Sequence, residues 1–90
     1  MKTFTKDPDS QKDYGFDWDE WLAEVGDTIQ SSAWIVAAGI TKLSESNTTT
    51  GTTIWLGGGA VGTAYLVTNR IVTVGGRTDD RSLIISCKQM

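Results

Sequence analysis

The sequence predicts an all-β fold, an antiparallel β-sandwich carrying an extended N-terminal arm. Three observations carry this. Short apolar runs follow one another with turn residues between them, roughly every 8–12 positions. Several runs alternate polar and apolar residues, the period of a half-buried strand. The chain has 90 residues, one domain of the size small sandwiches commonly have.

Residues 1–13, MKTFTKDPDSQKD, are polar and hold the single proline, Pro8. Proline forbids helix there and biases Asp7 to extended geometry. This stretch is expected to be an arm, either disordered or ordered by a neighbour, with the sandwich domain spanning 14–90. Tyr14, Phe16 and Trp18 alternate, as a first strand with one aromatic face requires. DEWLAEVGD then fits a helical turn, with Asp17 or Asp19 as N-cap and Gly26 as stop.

From residue 28 the pattern is β. Thr28 to Val36 alternates, with Ile29, Ala33 and Ile35 on one face and Gln30, Ser32 and Trp34 on the other. Ala37-Ala38-Gly39 breaks it. Ile40 to Leu43 is a short strand or a bend, and residues 44–51 read as a polar loop. Thr52 to Leu56 places Ile54 and Leu56 on one face and Trp55 on the other, and Gly57-Gly58-Gly59 ends it. Of Trp34 and Trp55, both inside strands, one is expected to fill the core. Ala64 to Val74 is the longest run, with Tyr65, Val67, Asn69 and Ile71 sharing a face. Residues 75–80 form a hairpin loop, and Arg81 to Cys87 returns with Leu83, Ile85 and Cys87 inward. Gly62-Thr63-Ala64-Tyr65-Leu66-Val67 resembles the G-T-x-Y-x-V segment of fibronectin type III domains. There the tyrosine starts the penultimate strand and its hydroxyl bonds to upstream backbone. Tyr65 is thus a structural residue, and the sandwich is expected to be immunoglobulin/fibronectin-III-like.

Composition excludes most chemistry. The absence of histidine removes the commonest general base and metal ligand. One cysteine, Cys87, cannot form an internal disulfide, which points to synthesis inside a cell. It lies beside Ile85 and reads as a buried, inert thiol. Asp17, Asp19 and Glu20 contain a D-x-D pattern but lack the glycine and distant glutamate of a calcium loop. The glycine run 57–62 lacks a following Lys-Ser/Thr pair and a helix to receive a phosphate. No apolar run approaches a membrane span of about 18 residues, and the N-terminus has no secretory apolar core. The reading is a non-enzymatic protein with no catalytic residue, metal or cofactor.

Net charge is −3, unevenly spread: residues 1–45 hold most of the acidic groups. No basic stripe offers to neutralise phosphates, which argues against nucleic acid. The acidic half either meets a basic partner or keeps the domain soluble. Four tryptophans are many for this length. Trp18 and Trp21 either act as interface anchors or cap the open end of the core. With Phe4, Pro8, Tyr14 and Phe16 they make the arm and the aromatic segment the leading interface candidate. Arg77, Asp79 and Asp80 make the hairpin either a charged recognition tip or an internally paired loop.

The order of motifs carries a resemblance. Lys6-Asp7-Pro8-Asp9, Asp13-Tyr14, Phe16-Asp17-Trp18, Trp21-Leu22, Gly26-Asp27-Thr28-Ile29 and Ser31-Ser32 are followed by Trp55-Leu56 with its glycines. Gly62-Thr63-Ala64-Tyr65 and Gly76-Arg77-Thr78-Asp79-Asp80-Arg81-Ser82 complete the series. Over nearly its whole length the chain resembles the fibre–tail adaptors of tailed bacteriophages. In that pattern a serine is expected within the glycine run and a threonine where Ile84 stands, so Ile84 adds an apolar group to an outer sheet surface. The resemblance implies a virion component at the neck or tail, made in the bacterial cytoplasm. It implies partners among connector, tail or fibre proteins, copies arranged in a ring, no catalysis and no membrane contact. Two other readings stand beside it. One is a capsid decoration protein. The other is a carbohydrate-binding sandwich, which needs Trp34 and Trp55 as a planar row on one face.

Overall fold

The computed structural model describes residues 2–88; Met1, Gln89 and Met90, at the outer ends of the two expected segments, lie outside them. The strands are β1 (Lys2–Lys6), β2 (Lys12–Asp17), β3 (Ile29–Val36), β4 (Ile40–Asn47), β5 (Gly51–Gly58), β6 (Ala64–Thr73) and β7 (Thr78–Cys87). One helix, α1 (Asp19–Val25), follows β2. They form two packed sheets, β1-β7-β6-β3 and β2-β5-β4. Every neighbouring pair is antiparallel except β1–β7, which is parallel. The expected sandwich is present, with that one parallel pair added.

Residues 2–6 differ from the expected free arm. They are extended, but they are hydrogen-bonded into the four-stranded sheet, with Lys2 opposite Leu83 and Lys6 opposite Cys87. Two side chains hold them there. Phe4 packs on Tyr14, ring centroids 5.2 Å apart. Lys6 is fully buried, and its Nζ donates to the carbonyls of Gly58 at 2.7 Å and Asp7 at 2.9 Å. Composition hides this, because a polar segment needs only one apolar anchor and backbone pairing to join a sheet edge. Pro8 sits in the turn that follows, where the Ser10 N–H donates to the Asp7 carbonyl.

The core has two parts. Trp34, Ile40, Ile54, Leu56, Tyr65, Val67, Leu83, Ile85 and Cys87 fill one end. Trp18, Leu22, Ile29 and Ile71 fill the other, and Phe16 touches both. Trp34 is the tryptophan between the sheets, stacked on Phe16 at 5.8 Å. Trp55 is not a core residue: it is 42% exposed on the outer face of β5.

The inward face of β3 departs from simple alternation. A bulge between Ile29 and Ser31 adds one residue, and one residue inverts the parity of all that follow. Ile29 and Trp34 therefore both point inward, while Ile35 points out at 51% exposure. β4 runs through Asn47, where a loop was expected from residue 44. It is an edge strand with little to bury, so its polar residues still pair through the backbone with β5. α1 has Trp18, not an aspartate, at its N-cap; Asp17 Oδ1 instead accepts the N–H of Asp19 at 2.9 Å. Its C-terminus is Gly26, as expected, in the left-handed region.

Tyr65 is buried, and its hydroxyl accepts the Ala60 N–H at 2.9 Å. Tyr65→Phe is expected to keep the fold and lower stability by about 0.5–1.5 kcal/mol, the worth of one such bond. Urea melts of the two proteins measure it; an unchanged midpoint contradicts the structural role.

Candidate interaction surfaces

The aromatic segment is mostly spoken for by its own core. Trp18 has no exposed surface, so of the two alternatives for it the structure shows core packing. Its Nε1 donates to Asn69 Oδ1 at 3.1 Å. Asn69, also fully buried, accepts from the Thr52 hydroxyl at 2.8 Å on the same oxygen. Its Nδ2 donates to Ser32 Oγ at 2.9 Å and to the Ala33 carbonyl at 3.1 Å. One amide thus joins β6, β3, β5 and the start of α1 with every hydrogen-bonding position used. Arg81 closes the end of the core. Its guanidinium lies 4.0 Å from the Trp18 ring centroid and donates to the Asp17 carbonyl at 3.0 Å. Phe4, Tyr14, Phe16 and Trp21 are half-buried and pack against the two clusters. Pro8 is half-buried in the β1–β2 turn.

The hairpin is internally braced. Its turn is shorter than expected, so Asp79 and Asp80 belong to β7. Asp80 takes both guanidinium bonds of Arg70 across the β6–β7 pair, at 2.9 and 3.0 Å. Arg77 pairs with Asp27, in the α1–β3 connection, at 3.0 Å. Asp79 accepts the Asp80 N–H. Arg77 and Asp80 are therefore both paired, but with Asp27 and Arg70 outside the loop and not with each other.

Asp27 is the most perturbed of these groups. A hydrogen bond from the Thr73 hydroxyl, joined by the N–H groups of Thr28 and Gly75 and by Arg77, lowers its pKa from 3.8 to about 2, against an opposing desolvation. The fold favours its carboxylate form. That contribution is complete above the ordinary carboxylate pKa and is lost as pH falls from about 4 through about 2. Asp27→Asn is expected to be less stable at pH 7 and to lose less stability than the parent between pH 4 and pH 2. Parallel slopes in thermal melts across that range contradict the assignment.

What the fold does leave open is the outer face of the four-stranded sheet. Antiparallel sheets usually show polar residues to water there. Here Leu66 is 50% exposed and stands directly opposite Ile84. Ile35 lies one strand over, opposite Thr68. Thr68 and Ser82 are themselves paired, hydroxyl to hydroxyl at 2.8 Å. Leu66 and the half-buried Ile84 thus lie on one side of this polar pair and Ile35 beside it, and the Arg70–Asp80 pair borders them on the other side. Trp55 and Leu43 are exposed on the opposite sheet. Because Trp34 is inside, Trp34 and Trp55 share no face, and the planar aromatic row of the carbohydrate reading does not exist.

Comparison with known families decides the class. The family model described as podophage GP4 fiber-tail adaptor protein gp77 matches residues 6–86. The chain belongs to this family. A search of curated proteins gives no match. As a fibre–tail adaptor the protein is a structural component of a phage virion that binds other phage structural proteins, and the family is not an enzyme class.

Of the three aliphatic residues on this outer face, the sequence alone marks only one. Ile84 was visible, because an apolar residue stood where a polar one was expected. Leu66 alternates with core residues and reads as an ordinary outward position. Alternation puts Ile35 on the same face as Ile29, whereas the bulge separates the two, and that bulge has no sequence signature of its own.

Proposed function

We propose that this protein links tail or connector proteins to fibres in a podophage virion, and that the outer face of its four-stranded sheet is the main contact. The observation that supports this is the Ile35–Leu66–Ile84 surface on a sheet face where water usually selects polar residues. Covering it removes apolar area from water at about 25 cal/mol per Å². The bidentate Arg70–Asp80 pair would lie at the rim of such a contact, where it adds register. The protein is made in the host cytoplasm and taken up during assembly, in several copies around the tail axis.

The rigid core suits this role. An adaptor must hold its two partners in fixed relation, and the Asn69 hub and the Lys6 anchor tie both sheets and β1 into one unit. The test is assembly itself: particles produced with surface variants of Leu66 are assayed for the adaptor and for fibres. Loss of both with a folded adaptor supports the reading; normal particles contradict it.

A further inference from the structure

The two sheets have four edge strands, and three are protected against pairing with another chain. β4 carries a bulge between Lys42 and Ser44, flanked by Lys42 and Glu45, which meet at 3.5 Å. β3 carries the bulge at Ile29–Ser31, and its first N–H is already bonded to the Thr49 carbonyl. β1 is five residues long and begins with the exposed Lys2. Bulges, short length and edge lysines are the usual devices that keep a strand edge from adding a neighbour.

β2 has none of them in its middle. Its register with β5 is unbroken from Lys12 to Asp17, and Tyr14-Gly15-Phe16 is uncharged. Gly15 stands at the centre with no side chain. A methyl there would collide with the Thr52 carbonyl, so the glycine lets β2 lie close on β5. Beside this edge runs an open groove of about 650 Å³ between the two sheets, lined by Phe4 and Phe16 with Lys2, Asp17, Arg81 and Ser82 around them.

The charges near the edge indicate what would lie on it. Asp13, Asp17, Asp19, Glu20 and Glu24 are exposed, and none makes an ion pair among the described residues. They outweigh Lys2, Lys12 and Arg81, whose guanidinium already bonds the Asp17 carbonyl. Along β2 the faces alternate: Tyr14 and Phe16 turn toward the core, Asp13 and Asp17 away from it. We infer that β2 accepts an extended, basic segment of a partner protein as an added strand. In that segment Lys or Arg would stand opposite Asp13 and Asp17, and apolar residues opposite Tyr14 and Phe16. This surface is separate from the Leu66 face and does not depend on it; a linker of two components needs two such places.

The test uses two synthetic peptides on the isotope-labelled protein at low salt, followed by NMR. One contains Lys-Val-Tyr-Val-Lys, the other Glu-Val-Tyr-Val-Glu. The first is expected to shift the amides of residues 12–17 and of Phe4, and to bind at least tenfold more tightly than the second. Asp13→Lys, an exposed change, is expected to narrow or reverse that preference while the amide shifts stay on β2. Equal binding of the two peptides, shifts centred on β4 or on the Leu66 face, or no shifts at millimolar peptide would each overturn the inference.

Discussion

Trp18→Ala is expected to cost about 3–5 kcal/mol, the range for removing a large buried aromatic. A domain of this length has roughly 5–13 kcal/mol in total, so the variant would be marginal or unfolded at 37 °C. Three effects combine. Removing the ring leaves a cavity among Leu22, Ile29 and Ile71. Asn69 Oδ1 keeps only one of its two donors. The Arg81 guanidinium is left without the ring it lies over. Trp18→Phe separates the first effect from the second: it keeps most of the packing and removes the indole N–H, for about 1–2 kcal/mol. Denaturant unfolding of the isolated protein measures both. An interface anchor would behave in the opposite way, with a stable Trp18→Ala variant that fails only in assembly.

The second large effect is on assembly with stability held. Leu66→Asp places a carboxylate at the centre of the Ile35–Leu66–Ile84 surface. In the free protein the site is half exposed, and such changes stay within about 0.5 kcal/mol, or a few degrees of melting temperature for a domain of this size. In the assembled particle the charge would be buried without a partner. Disrupting a residue at the centre of an interface costs about 2 kcal/mol or more, about thirtyfold in affinity, and incorporation should fall accordingly. Val74→Asp, on an exposed residue at the β6–β7 turn, is the control and should incorporate normally.

Much of the fold was legible in the residues. Burial alternates strictly along Ala64–Thr73 and from Ser82 to Cys87, and Tyr65, Val67, Asn69, Ile71, Leu83, Ile85 and Cys87, named from that alternation, are all buried. Tyr65 and the Gly26 helix stop follow from local chemistry that needs no tertiary context. What alternation missed has a common physical origin in pairing between distant segments. The β3 bulge is set by its register with β6, so Ile35 turns outward against the simple pattern. β4 is strand through Ser44–Asn47 because β5 offers it backbone partners. Lys2–Lys6 joins the sheet because β7 pairs with β6 on one side only and leaves its other edge free. Trp18 shows the same limit at the site: its composition suits an interface and a core equally, and only Asn69, 51 positions away, decides between them.

Which face of the sandwich its partner covers can be read directly from the assembled particle. The most direct measurement is a reconstruction of the intact virion at a resolution that places side chains. The proposed function predicts that Leu66, Ile84 and Ile35 lie under a neighbouring protein while Trp18 remains enclosed in its own domain. A particle in which that sheet face is open to solvent and the neighbouring protein binds wholly elsewhere would contradict it.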